Sequence, residues 1–189
     1  MKKIDLDSYI DDKIERISYW VDKGMFNIIT KHEELHFNIR AIEIDFESGN
    51  KLSIESGGSE QGLNFYNTPL DLDEWDDHAI KIGMNNHSLI KKLIGKQITD
   101  VQIWWCDNLW TSCGKRSGSK SYKQDLTIST EGNGYFLCSS AETEAEDTPS
   151  ICLLDSDEIV IITNEKIAKK NELEKYGKNE FTRYKNPKT

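Results

Sequence analysis

No apolar run in this chain of 189 residues approaches the roughly 20 residues that a membrane-spanning helix needs. The opening MKKIDLDSYIDDK lacks an apolar h-region, because acidic residues follow its two lysines at once. A secretory signal is therefore not expected, and residence in the cytoplasm is. Cysteine is scarce and irregularly spaced. Cys106, Cys113, Cys138 and Cys152 form no CxxC pair and no second pair that would complete a zinc site. A chain of this size does not need disulfide staples, so free thiols are the expectation. Phosphate-binding and calcium-binding loops are missing too. Gly114–Ser121, GKRSGSKS, fails as a P-loop because Ser119 separates Gly118 from Lys120. Neither flank supplies the strand and helix that a phosphate cradle needs, so a basic loop is expected there. The acidic run from Asp71 breaks the EF-hand spacing at Trp75, and no glycine follows.

Negative charge is what the chain has in excess. The formal net charge is −9. From Asn164 onward eight Lys or Arg stand against four Glu, a tail of +4 that leaves −13 on the body. Such a field disfavours nucleic acid and anionic membrane and attracts basic partners.

The chain also echoes itself. LIGKQITDVQIWW repeats the apolar spacing of YIDDKIERISYWV: Ile94 answers Ile10, Ile98 answers Ile14, Val101 answers Ile17 and Trp104 answers Trp20, each 84 residues on. The same step lays DLTISTEGNGYFLCSS over AIEIDFESGNKLSIES without a gap. Ile42, Ile44 and Phe46 alternate with Glu43, Asp45 and Glu47, and Ser48-Gly49-Asn50 turns the chain into Leu52 and Ile54. That is a hairpin signature, with its charged face expected to be wet. Leu126 and Ile128 before Glu131–Gly134 give the second hairpin.

Short helices are expected at Ile4–Ile10 and Leu89–Ile94, each followed by a strand. Thr68-Pro69 and Thr148-Pro149 occupy similar places, which makes Ala79–Ile82 the counterpart of Ile159–Ile162. Asn164 is an N-cap for a helix through Ile167, Ala168, Leu173 and Tyr176, which Gly177 stops. The last dozen residues look poorly ordered. The expected fold is α+β: mostly antiparallel sheet with short helices, in two similar halves from an internal repeat. The halves are residues 1–86 and 87–164, packed as one domain, with a C-terminal helix and basic tail over 165–189. Two sheets sharing a core and one sheet continuous across the halves both satisfy this pattern.

Few residues suggest chemistry. His32-Glu33-Glu34-Leu35-His36 fits HExxH, which on a helix places two imidazoles on one zinc ion with the glutamate as base. Those five residues resemble zinc metalloproteases. The flanks run into a strand, however, and no HxxGxxH extension follows. Zinc-dependent hydrolysis at His32 and His36 is thus an alternative reading, and no resident metal or cofactor is expected. Exposed tryptophans on a β face would serve a carbohydrate-binding module, a second alternative.

The acidic clusters point elsewhere. Asp71, Asp73, Glu74, Asp76 and Asp77 surround Trp75, while Glu142, Glu144, Glu146 and Asp147 form the matching region of the second half. Carboxylates around an indole meet Lys and Arg of a basic protein, and the indole supplies anchor area. Trp104 and Trp105, adjacent in a strand, cannot face the same core. Trp104 is expected in the core by analogy with Trp20, and Trp105 is left as a second anchor. In its size, its acidic body, Trp75 among acidic residues and its helix-plus-antiparallel plan, the chain resembles the immunity proteins of bacterial polymorphic-toxin systems. That resemblance implies a cytoplasmic, non-enzymatic toxin inhibitor. Such a protein caps a basic toxin domain through Asp71, Asp73, Asp76, Asp77, Glu142, Glu144 and Glu146, with Trp75 and Trp105 as anchors.

Overall fold

Apolar residues that alternate along the first hairpin turn to one side and are lost to solvent together: Ile42, Ile44, Phe46, Leu52 and Ile54 are all buried. The computed structural model describes residues 4–25, 35–57, 62–70, 78–112, 115–140, 142–143, 151–152, 159–168 and 182–185. Its strands, in chain order, are β1 (Ile14–Asp22), β2 (Leu35–Ile39), β3 (Ala41–Phe46), β4 (Lys51–Ser56), β5 (Leu63–Tyr66) and β6 (Ala79–Gly83). After helix α1 (Ser88–Lys91) come β7 (Ile98–Ser112), β8 (Lys115–Thr130), β9 (Gly134–Ser140), β10 (Glu142–Thr143), β11 (Ile151–Cys152), β12 (Ile159–Ile162) and β13 (Thr182–Lys185). A 3-10 turn, Leu6–Tyr9, precedes β1.

The strands make two main antiparallel sheets, in the orders β5-β4-β3-β1-β6 and β13-β7-β8-β9-β12-β2, and β10 pairs with β11 apart from them. Of the two arrangements open to the sequence, the shared core is the one observed. Ile17, Tyr19, Ile42, Ile44, Leu52 and Ile54 of the first sheet pack in one cluster with Leu126, Ile128, Phe136, Cys138, Ile159 and Ile161 of the second. Tyr9, Leu89, Ile90 and Leu93 of the helical turns join the same cluster. Burying each large apolar side chain contributes about 1.5–3 kcal/mol. The opposite face of the second sheet is covered as well. Leu35, Phe37, Leu137, Val160 and Ile162 pack there with Ala168, from the helical stretch over residues 165–168. Asn164 begins that stretch as expected, its Oδ1 accepting the Lys166 N–H at 3.0 Å. Leu173, Tyr176 and Gly177 lie outside the described residues.

The spacing of 84 residues survives as strand register. Ile14↔Phe46, Ile17↔Ile44 and Trp20↔Ala41 across β1 and β3 become Ile98↔Thr130, Val101↔Ile128 and Trp104↔Asp125 across β7 and β8. Even the register shift recurs, between Ile14 and Arg16 in one sheet and between Ile98 and Asp100 in the other. The next pairing repeats too, Ile42↔Ile54 against Leu126↔Cys138. Between positions 84 residues apart the hydrogen bonds are reciprocal: Asp11 N–H donates to Ile98 O at 3.0 Å, and Gly95 N–H donates to Ile14 O at 2.8 Å. Asp11 and Gly95 share a left-handed backbone, at φ 69° and 73°, and Lys13 bridges Gln97 between them.

Several expectations change. Lys115–Ser121 is not the basic loop expected there, because these residues are strand and pair with β7. Pairing across the hairpin overrides the weak strand preference of Gly, Ser and Lys. Ile159–Ile162 is not the counterpart of Ala79–Ile82. β12 flanks β9 as β5 flanks β4, and the place of β6 beside β1 is taken in the second sheet by β13 beside β7. Part of the supposedly unordered tail is thus a strand, with Tyr184 opposite Trp105. Finally, β2 leaves the sheet of its own half and pairs with β12 in the other.

Candidate interaction surface

Trp20 organises the outer face of the first sheet. It points away from the shared core and is buried with Ala41, Ala79 and, partly, Leu70. Its Nε1–H donates to Glu43 Oε1 at 2.9 Å, and Lys81 Nζ stands 5.7 Å from its ring centroid. The charged face of this hairpin is therefore not simply wet: Glu43 is 1% exposed. Lys81 Nζ donates to Glu43 Oε2 at 2.6 Å and Lys51 Nζ to the same oxygen at 3.3 Å. Lys51 also pairs with Asp45, which Arg16 clamps at 2.6 Å. Burial alone would raise the Glu43 pKa. Hydrogen bonds from Lys81 and Trp20, the Lys81 charge and the Lys51 hydrogen bond outweigh it, and the carboxyl lies below its ordinary value. Asp45 is lowered in the same way, by Lys51 and Arg16 against burial.

This face holds both ends of the first acidic stretch. On the way in, Ser53 Oγ donates to Thr68 O at 2.7 Å and Leu70 packs on the Trp20 cluster. On the way out, His78 O accepts the Lys23 N–H at 2.9 Å and Ala79 belongs to that same cluster. Asp71, Asp73, Trp75, Asp76 and Asp77 lie between these anchors, outside the described residues. Glu142 begins a different region, opposite Cys152 in the β10–β11 pair, and Glu144 and Glu146 lie outside the described residues. Trp105 is half-buried on β7, opposite Lys123 of β8 and Tyr184 of β13. The residues that flank the first acidic stretch, Leu70 and Ala79, thus lie on the first sheet, and Trp105 lies on the second. Trp104 is not in the shared core as its analogy with Trp20 was meant to imply. Like Trp20 it lies on an outer face, and its indole donates to Thr127 Oγ1 at 3.1 Å. Sequence reasoning missed Glu43, Lys51 and Lys81 as a cluster; their alternation was visible, but their convergence depends on strand order.

A cavity of about 460 Å³ opens beside this network, between the 3-10 turn and the β3–β4 turn, lined by Asp5, Tyr9, Asn50, Lys51, Asn67 and Pro69 among others. Tyr9, one of the lining residues, donates its hydroxyl to Lys51 O at 2.9 Å.

Leu35 and His36, the two described residues of the histidine motif, are in a strand and not in the helix that zinc binding by HExxH requires. His36 is in strand β2 and fully buried, with Nδ1 3.2 Å from Tyr19 OH. His32 lies outside the described residues. Among the described residues no group of three potential ligands is placed to hold a metal ion. The Tyr19 hydroxyl is kept neutral by burial, which together with the nearby Cys138 pushes its pKa well up. The neighbour of His36 is instead His87, whose ring stands edge-on at 4.4 Å. His87 Nδ1 accepts the Leu89 N–H at 3.3 Å and so caps α1, which needs a neutral imidazole. Burial lowers the His87 pKa below 6.5. A base whose folded pKa is depressed stabilises the fold above its unfolded pKa, and that stability is lost as pH falls through the folded value. Thermal denaturation is therefore expected at lower temperature at pH 5 than at pH 7.5. Loss of the cap contributes about 0.5–2 kcal/mol, and His87→Asn, which keeps a cap acceptor, should flatten the response. An unchanged pH profile in His87→Asn would show that the cap is not what titrates.

Among the described residues no helix is long and apolar enough to cross a membrane. The fold and its surfaces define an α+β protein of two packed antiparallel sheets. Comparison with known proteins finds no matching family, no similar curated protein and no similar solved structure.

Proposed function

We propose that the chain is a non-enzymatic binding protein that neutralises a basic protein partner, in the manner of the bacterial toxin immunity proteins it resembles. One observation carries this reading. Five carboxylates surround Trp75 within residues 71–77, and the anchors on either side of that stretch, Leu70 and Ala79, both pack against Trp20. An acidic segment whose two ends are fixed to a sheet loses less conformational freedom on binding than a free one. Its charge steers a cationic partner, and the indole supplies the buried anchor. At low ionic strength the body charge of −13 adds an attraction of the same sign.

The partner is sought first among the products of neighbouring genes, with the purified chain as bait. Replacing Asp71, Asp73, Asp76 and Asp77 by Asn is expected to slow association with a basic partner by about 10-fold or more at low salt. Trp75→Ala is expected instead to speed dissociation. Binding that ignores both salt and the four substitutions would refute the reading.

A further inference from the structure

We propose that the ribbon formed by the far halves of β7 and β8, with β13 laid along its base, binds single-stranded nucleic acid. Pairing of β8 with β9 begins only at Asp125, and β13 meets β7 only from Trp104 to Asp107. Past those points, Asn108–Ser112 of β7 pairs with Lys115–Lys120 of β8 and, among the described residues, with no other strand. At roughly 3.4 Å per residue the ribbon reaches about 15 Å beyond the sheet.

The ribbon inverts the charge of the chain. Residues 105–124 and 182–185 hold six basic residues, Lys115, Arg116, Lys120, Lys123, Arg183 and Lys185, against Asp107 as the one acid. The sequence separates these two segments widely, and only the β13–β7 pairing joins them. Aromatics and cations share register rows on both faces of the ribbon: Tyr184 is opposite Trp105, which is opposite Lys123, on one face, and Arg183 is opposite Cys106, which is opposite Tyr122, on the other. Trp110 follows farther out, opposite Gly118. Cations that track phosphates beside aromatics that stack bases are the two parts of a single-strand platform.

The acidic body argues against nucleic acid only when the charge is averaged over the whole chain. At physiological ionic strength charges are screened over about 8 Å, less than the reach of the ribbon. Indoles anchor protein partners too, but an aromatic and a cation in each of two successive register rows match the repeating base and phosphate of a single strand, so nucleic acid is the better fit. This surface is distinct from the acidic stretch, and either reading can fail without the other.

The test is fluorescence anisotropy of the full chain with labelled 20-residue oligomers of thymidine and of uridine. Four phosphate contacts on a single strand predict about 50-fold weaker binding at 200 mM than at 50 mM salt. Lys115→Glu with Arg116→Glu and Lys120→Glu should abolish binding, and Trp110→Ala should weaken it at least about fivefold. Lys91→Glu with Lys96→Glu, on the α1 turn, should leave it unchanged. Circular dichroism and thermal melting confirm that each variant is folded. The proposal is overturned by no binding at roughly 100 μM protein and low salt. Equal loss in the α1-turn variant, competition by poly-glutamate as effective as by oligonucleotide, or equal affinity for a duplex of the same length would overturn it too.

Discussion

Glu43→Ala is expected to lower the stability of the protein by about 3 kcal/mol, near the low end of what breaking a buried charge cluster costs. The loss has identifiable parts. The Trp20 indole N–H loses its acceptor, and Lys81 loses its 2.6 Å carboxylate. Lys51 retains Asp45, and the Lys81 side chain is 35% exposed, so solvent and a remaining partner limit the cost. Glu43→Gln keeps an acceptor for Trp20 without the charge and should lie between wild type and alanine. The folded pKa of Glu43 is lowered, so its contribution is present above the unfolded carboxyl pKa, near pH 4.5, and lost as pH falls through the folded value. Urea unfolding at pH 7 and pH 3 checks both points: the gap between wild type and Glu43→Gln should shrink at pH 3. If Glu43→Ala costs less than about 1 kcal/mol, the carboxylate is solvated and the outer face is not organised around it.

Phe136→Ala should be at least as damaging, at about 3–5 kcal/mol. Phe136 is fully buried and holds the register position in β9 that Leu52 holds in β4, each opposite an isoleucine, Ile128 or Ile44. In a chain of this size that loss corresponds to a melting temperature lower by roughly 10 °C. Because both sheets contribute to one apolar cluster, the damage should not stay in the second sheet. Hydrogen exchange should accelerate together at Ile42–Ile44 and at Leu126–Ile128. Faster exchange confined to β8 and β9 would mean that the sheets unfold independently.

The parts of the fold legible in the sequence are those where local pattern and strand geometry coincide. Side chains of period two, a turn of fixed length and a constant spacing of 84 residues dictate the same meander twice, and the register follows. Position 43 shows where that legibility ends. Alternation places Glu43 on the outer face, but its burial arises from Trp20 on β1 and Lys81 on β6, which no local pattern joins to it. The ribbon was hidden for another reason. Lys115–Ser121 has the composition of a loop, and only the opposing β7 makes it a strand. β13 was obscured likewise, since four residues in a polar tail become a strand only where an open edge receives them. Of the predicted interaction residues, Trp105 is placed at the base of the ribbon, and the acidic stretch around Trp75 lies outside the described residues, between Leu70 and Ala79.

The crossing of β2 has a consequence for how the chain can be divided. Although the plan repeats, cutting the backbone between β6 and α1 would not release two self-sufficient units. The N-terminal fragment would carry away the strand that closes the β12 edge, and both fragments would bare the apolar faces they now hide against each other. Each piece would need the other, one to recover its closing strand and both to cover their apolar faces.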